Sequence, residues 1–351
     1  MEFALTDEQQ MIAETAQAFF GERAASEATR EAMERGGFDR PLWTGFCTEM
    51  GLAGLALPEA HGGAGLGMIE LACVAEAAGA QVAAIPLPGL AMTSAALLAG
   101  GSEEQKAEWL PRLAEGSVVP ACAAEFVRDG SGDLLSGEGR FVAYGAHADL
   151  LLLLGQANAW IVDPGAPGVE IETFLTMDQT RPLAALKLAG VKADRLADGA
   201  AARAAALRAG WITLAAEALG GAQAAIDRTV AYSLERKQFG RAIGSFQAYK
   251  HRLADRVVDI EQARSAVYWA ACALDEGSDE AAIAVHAAKS FAADTFFRCA
   301  SDMIQLHGGI GFTWEHDAHL FFKRARAIQS ALGSGAWHRE QVASLVLGEA
   351  A

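Results

Sequence analysis

Arg236-Lys237-Gln238-Phe239-Gly240-Arg241-Ala242-Ile243-Gly244-Ser245-Phe246-Gln247 is the stretch on which the reading of this chain turns. It holds the one dense basic cluster in a sequence of 351 residues with a formal net charge of -16. An acidic chain repels nucleic acid and anionic lipid unless a local basic patch offsets it. This patch is too short to serve as a nucleic-acid face. Gly240 and Gly244 break it into a loop, and long helical patterns lie on both sides. One covers roughly 204–234 and the other about 246–274, ending at Gly277. A third helical pattern covers 279–306 and stops at His307-Gly308-Gly309. Long helices with short joins predict a C-terminal four-helix bundle over 201–351.

Working outward, the texture changes between 119 and 200. Leu150 to Leu154 is an uninterrupted apolar run, read as a buried strand. Val169, Ile171 and Thr173 alternate with Glu170 and Glu172, the mark of a half-buried strand. These features predict a small middle β domain of short strands. Residues 1–118 read as helices again. Thr6 caps the first, with Asp7 and Glu8 in its opening turn. A second runs near 41–50, and the glycine-rich stretch Leu57 to Gly67 is a loop. Ala-rich helices follow, the last starting at Ser102. The fold class is therefore mainly α with a small β domain: an N-terminal helical domain, a middle β domain and a C-terminal bundle.

About half of the residues are apolar and 21% are charged, which supports a large core and excludes wholesale disorder. Five cysteines, at 47, 73, 122, 272 and 299, form no CxxC pair. That is a reduced, cytoplasmic pattern with neither a disulfide framework nor a metal site. The first residues lack the basic and apolar regions of a signal peptide. The run Leu150–Leu154 is too short to span a bilayer.

Three stretches, taken together and in order, resemble the acyl-CoA dehydrogenases. They are Met50 through Gly63; Arg236 through Gly240, continued by Ile243, Phe246-Gln247 and Leu253-Ala254-Asp255; and Gln305-Leu306-His307-Gly308-Gly309-Ile310-Gly311-Phe312-Thr313, followed by Glu315 and Arg324. The resemblance covers nearly the whole chain. It implies FAD as cofactor, an acyl-CoA as substrate and an electron-transfer flavoprotein as acceptor. In that family the flavin end lies on one subunit's β domain, and the ADP end lies on the neighbour's bundle. The match places the ADP-side contacts at Arg236, Gln238, Phe246, Gln247, Gln305, Leu306, His307, Gly308 and Gly309. Arg236 stands as the pyrophosphate cation, and the two glycines admit close backbone approach.

The pattern is incomplete elsewhere. The family's base is a Glu at one of two positions, and counting along the motifs puts Gly333 at one and Gly210 at the other. No catalytic residue is assigned to this chain. Glu217 and Glu315 are the substitute carboxylates to weigh. The family's flavin-side loop aligns with Ala123-Ala124-Glu125-Phe126 and a shortened 129–133. Its flavin-touching Trp-Ile-Thr strand aligns with Phe141-Val142-Ala143, where Ala143 has no hydroxyl to donate. Similar short, base-lacking subunits occur in the heterotetrameric acyl-CoA dehydrogenases of actinobacterial steroid breakdown. The expectation is a dehydrogenase subunit that lends its ADP-side contacts to a second, Glu-bearing subunit. Two alternatives stay open: a self-sufficient homo-oligomer with a relocated base, and a non-catalytic member of the fold.

Overall fold

The computed structural model describes residues 5–129 and 134–348. Helices α1 (Asp7–Arg23), α2 (Ser26–Glu34), α3 (Arg40–Thr44), α4 (Met68–Ala80), α5 (Leu87–Gly100) and α6 (Glu103–Ala114) come first. Strands β1 (Pro120–Ala123), β2 (Phe126–Arg128), β3 (Leu135–Ala143), β4 (Leu150–Leu154), β5 (Ala159–Val162), β6 (Val169–Thr173), β7 (Leu183–Val191) and β8 (Asp194–Arg195) follow. Helix α7 (Gly199–Glu235) leads to a short hairpin, β9 (Lys237–Gln238) and β10 (Arg241–Ala242). Helices α8 (Gln247–Asp275), α9 (Ala281–His307), α10 (Ala318–Ser330) and α11 (Gly335–Leu347) complete the chain. This is the mainly helical fold with a small β domain in the middle that the sequence predicts.

Local chemistry sets the helix ends. The Thr6 hydroxyl accepts from Gln9 N at 3.2 Å, and Gln9 Oε1 accepts from Thr6 N at 3.0 Å, a complete capping box. Ser102 and Gln105 repeat it at the start of α6. Helix α7 begins earlier than its apolar pattern predicts, because the Asp198 carboxylate accepts from Ala201 N at 2.9 Å and caps it. The segment expected as one helix near 41–50 is α3 followed by a π-helical turn, Gly45–Glu49, whose Phe46 and Cys47 are buried. Helix α2 was not anticipated. Its strongly charged sequence hides only Thr29 and Ala32, too short an apolar stripe to read from spacing.

The described residues fall into two compact units, one of 5–27, 68–83 and 214–348, the other of 28–67, 84–129 and 134–213. In the second, two four-stranded sheets run in the orders β1-β4-β5-β8 and β2-β3-β7-β6. Among the described residues, only the β1–β4 pairing in these sheets is parallel. Strand β4 lies between β1 and β5 and is buried throughout, which is why all five of its residues can be leucine. Leu151, Leu153, Trp160, Phe126, Leu186 and Leu188 meet in the sheets' common core. Edge strand β6 leaves Glu170 and Glu172 exposed while Val169 and Ile171 pack inward.

The first unit is the bundle. Helix α9 packs against α8, α10 and α11, and α4 packs against α1 and α8. Two glycines let α4 and α7 touch backbone to backbone. A Cβ on Gly79 would lie 2.0 Å from Glu217 O, and one on Gly220 would lie 1.8 Å from Glu76 O.

Buried polar groups tie α9 to the C-terminal helices. Lys289 Nζ donates to Ile328 O at 2.9 Å. Ser290 Oγ donates to Gly335 O at 3.1 Å. The buried rings of His286 and His338 meet Nδ1 to Nδ1 at 2.7 Å, so a single proton joins them. Burial, with Lys289 and His286 beside it, pushes His338 down to about 3. The unfolded imidazole takes a proton near pH 6.5, whereas the folded one takes it only near 3. The unfolded state therefore binds more protons in that window, and stability is complete above pH 6.5 and lost as pH falls toward 3. Between pH 6.5 and 5 the loss at this site should be on the order of 1 kcal/mol after allowance for screening. Urea titrations at both pH values, with His338→Leu showing a flatter response than the parent, check it.

Candidate functional site

The basic stretch is a tight hairpin. Gln238 pairs with Arg241 and Lys237 with Ala242. The turn residues Phe239 (φ 52°) and Gly240 (φ 80°) both sit in the left-handed region, as a two-residue type I′ turn demands. Ile243 N donates to Arg236 O at 2.9 Å and closes its base. Phe246, just ahead of α8, takes the Arg241 guanidinium on its face, 3.9 Å from the ring centroid, and the edge of Phe239 at 6.2 Å. Arg241 is thus engaged. Arg236 is exposed and has no ion-pair partner among the described residues. The Gln238 side-chain amide donates to Lys237 O at 2.9 Å, so it is turned onto its own strand.

The second half of the corner is the end of α9. Gly308 takes φ 64° and ψ -138°, a conformation that favours glycine, and its N–H closes onto Gln305 O. Tyr249 Oη donates to Leu306 O at 3.1 Å. Tyr232 Oη donates to His307 O at 3.4 Å, and its ring stacks on His307 at 4.4 Å between centroids with 22° between planes. His307 is buried, with Nδ1 2.7 Å from Met303 O and the His316 ring 4.4 Å away. Burial is the main cause that lowers its pKa, with His316 adding to it, so the ring is neutral at ordinary pH. Tyr232 lies one helical turn before Arg236, and Tyr249 lies two residues after Gln247. Their bonds to His307 and Leu306, 75 and 57 residues away, bring the Arg236–Gln247 and Gln305–Gly309 stretches into one corner.

The predicted residues divide by what they present. Gln247 and Gln305 are exposed, and neither side-chain amide has a hydrogen-bond partner among the described residues. Gly308 and Gly309 are exposed, and a Cβ on either would meet nothing within 4 Å. The carbonyls of Leu306 and His307 are held by the two tyrosines. Sequence reasoning passed over Tyr232 and Tyr249. Their helical spacing from Arg236 and Gln247 places them near the motif, but nothing local says what they face.

The two positions at which the resemblance expects a catalytic Glu look different. Gly333 has φ 105°, and a Cβ there would lie 2.6 Å from Trp337 Cε3 and 3.1 Å from His338 Nε2. Ser334 accepts from Trp337 N at 3.2 Å, starts α11 and folds the indole back over the glycine. Gly210 is buried within α7. Glu217 is buried and Glu315 exposed.

On strand β3, which holds the Phe141-Val142-Ala143 stretch, the register with β7 slips by one residue between Gly139 and Val142. Phe141 (φ 57°) is thrown outward there, and its ring lies 5.7 Å from that of Phe174. Ala143 closes the strand opposite Leu183. Ala124 gives its carbonyl to Arg203, at 2.7 Å. Of the shortened loop 129–133, residues 130–133 lie outside the described residues.

Among the described residues, no group of three or more His, Cys, Asp or Glu could hold a metal ion. No helix among them is long and apolar enough to cross a membrane. All five cysteines are free thiols.

A helical N-terminal domain, a small β domain and a helical bundle with this corner define a class, and comparison with known proteins identifies it. Residues 6–117 match the acyl-CoA dehydrogenase N-terminal domain, and residues 197–347 match the acyl-CoA dehydrogenase C-terminal domain. The chain belongs to the acyl-CoA dehydrogenase family. It is 35% identical over 335 residues to acyl-CoA dehydrogenase IpdE2 of Mycolicibacterium smegmatis, covering 94% of this chain and 96% of that one. Its fold is similar to a chain of the ChsE4-ChsE5 complex from Mycobacterium tuberculosis, with TM-score 0.92 and 28% identity over 100% of both chains. It is also similar to a chain of the Tcur3481-Tcur3483 steroid ACAD, a G363A variant, with TM-score 0.89 and 31% identity over 97% of this chain and 98% of that one.

Proposed function

We propose that this chain is a subunit of an FAD-dependent acyl-CoA dehydrogenase that contributes the ADP-side contacts of the cofactor and leaves the catalytic Glu to a partner subunit. One contrast carries the reading: the Arg236 guanidinium, the Gln247 and Gln305 amides and the Gly308–Gly309 backbone are exposed, while the base position at Gly333 is closed by Trp337.

The residues present fit an ADP moiety. Its two phosphates call for a fixed cation and amide donors. Arg236 is exposed and unpaired among the described residues, and the amides of Gln247 and Gln305 are uncommitted. Gly309 has neither a positive φ nor an internal neighbour to require a glycine, and open space beside it suits an external group at van der Waals distance. Phe246 packs the hairpin and Gln238 supports it. Leu306 and His307 set the turn. Bound FAD would supply the two-electron acceptor for α,β-dehydrogenation of the acyl thioester. This chain's own part is to bind and orient; removal of the α proton belongs to a carboxylate on the partner.

A relocated base within this chain is the weaker reading. Glu217 lies in the bundle where α4 and α7 touch, and Glu315 stands in solvent. The solved relatives named as a two-chain complex and as a steroid ACAD support a heteromer, a heterotetramer in our reading, acting on a bulky steroid-CoA in the cytoplasm. An electron-transfer flavoprotein is then the acceptor.

The test is purification of the chain alone and after co-expression with a Glu-bearing dehydrogenase from a neighbouring gene. The chain alone should hold little flavin. The pair should carry FAD that bleaches with a steroid-CoA thioester more readily than with butyryl-CoA. Stoichiometric flavin on the lone chain, reduced by an acyl-CoA, overturns the division of labour. A pair that stays colourless overturns the cofactor reading itself.

A further inference from the structure

We propose that Tyr249 and Tyr232 are positioning residues for the anionic part of the cofactor, because they take up the carbonyls that α9 would otherwise turn toward a pyrophosphate. The inference rests on the reading above, in which the Gln305–Gly309 turn receives the ADP half of FAD.

The corner lies at the wrong end of a helix for an anion. A long helix carries roughly half a negative charge at its C-terminus, where the last four carbonyls lack intrahelical partners. Helix α9 is 27 residues long and ends at His307, inside the predicted contact set. A phosphate approaching bare carbonyls there would be repelled. In this protein, three of the terminal carbonyls are occupied. Gln305 O accepts the Gly308 N–H. Leu306 O accepts from Tyr249 at 3.1 Å, and His307 O accepts from Tyr232 at 3.4 Å.

The two donors come from different helices, α8 and α7, which also carry Gln247 and lead into Arg236. The arrangement is rigid. The Tyr232 ring lies flat on His307, and His307 is anchored to Met303 O. Burial and the neighbouring Tyr232 push the Tyr249 phenol up to about 12, so it stays a donor across the working pH range. With a donor on each of these three carbonyls, their negative end is offset, Arg236 sets the sign of the local field, and the Gly308–Gly309 backbone can approach an anion.

Phenylalanine separates this role from packing, since it keeps the ring and removes only the donor. ADP and adenosine are the two probes, and equilibrium dialysis against the apo complex with the partner subunit is the measurement. Adenosine shares the base and ribose but lacks the phosphates. Tyr249→Phe should weaken ADP binding by roughly 5–10-fold, and Tyr232→Phe, with its longer bond, by roughly 3-fold. Adenosine binding should change by less than about 2-fold in both. Thermal unfolding of each variant, followed by circular dichroism, checks that the fold is kept.

Equal losses for ADP and adenosine would assign the tyrosines a packing role and overturn the proposal. So would a wild-type complex that binds ADP while both variant complexes bind it as tightly. A wild-type complex that binds neither probe removes the cofactor reading, and this inference goes with it.

Discussion

Gly220→Ala is expected to lower the unfolding midpoint by about 10 °C. In an isolated helix the change would help, since alanine is favoured over glycine by about 1 kcal/mol. Here the new Cβ would sit 1.8 Å from Glu76 O, a backbone atom that no rotamer change can move. Helix α4 must back away, and the partner contact of Gly79 with Glu217 O must open with it. Overpacking of this kind costs about 3 kcal/mol or more. At roughly 2–4 °C per kcal/mol for a domain of 150–250 residues, the clash outweighs the propensity gain. Gly309→Ala is the control, because its Cβ would meet nothing within 4 Å and its effect on the midpoint should be near zero. Calorimetry on the three proteins decides it. Equal midpoints for Gly220→Ala and the parent would mean that α4 and α7 are not in backbone contact.

Arg236→Ala should have the opposite signature, with little change in stability and a large change in cofactor retention. The side chain is exposed and makes no ion pair among the described residues, so its loss removes no internal contact. Charge-assisted hydrogen bonds to phosphate contribute about 1.5–3 kcal/mol. That corresponds to roughly 10–150-fold weaker binding of FAD by the assembled enzyme. Arg236→Lys should fall between the two, because an ammonium keeps the charge and loses the planar fork. Fluorescence titration of FAD into the apo complex measures all three. Unchanged affinity for Arg236→Ala would remove the pyrophosphate assignment.

Much of the architecture was legible because the signals were local. Thr6 and Ser102 are helix starts whose partners lie three residues away. Leu150–Leu154 could be read as a buried strand because an apolar run of that length fits a strand covered on both faces. The glycines at 240 and 308 were visible as breaks, and their left-handed φ values are the reason for them. Where the reading was thinner, the cause was also physical. Helix α2 has almost no apolar stripe, and the π-helical turn after Thr44 depends on how Phe46 and Cys47 are buried rather than on any spacing.

The candidate site shows the same division more sharply. By itself the sequence determined the order of helical, β and helical regions and the family, and it offered the candidate residues from Arg236 to Gly309, since each depends on residue identity and short spacing. Only the tertiary structure decided that Arg236 is left unpaired among the described residues while Arg241 is held by Phe246. It also decided that the indole of Trp337 closes over Gly333 and that two distant tyrosines finish the end of α9. These are contacts between side chains or backbone brought together from different helices, or by a helix folding back on its own start. No periodicity or motif encodes them, because what a side chain touches depends on which neighbour the packed bundle sets beside it.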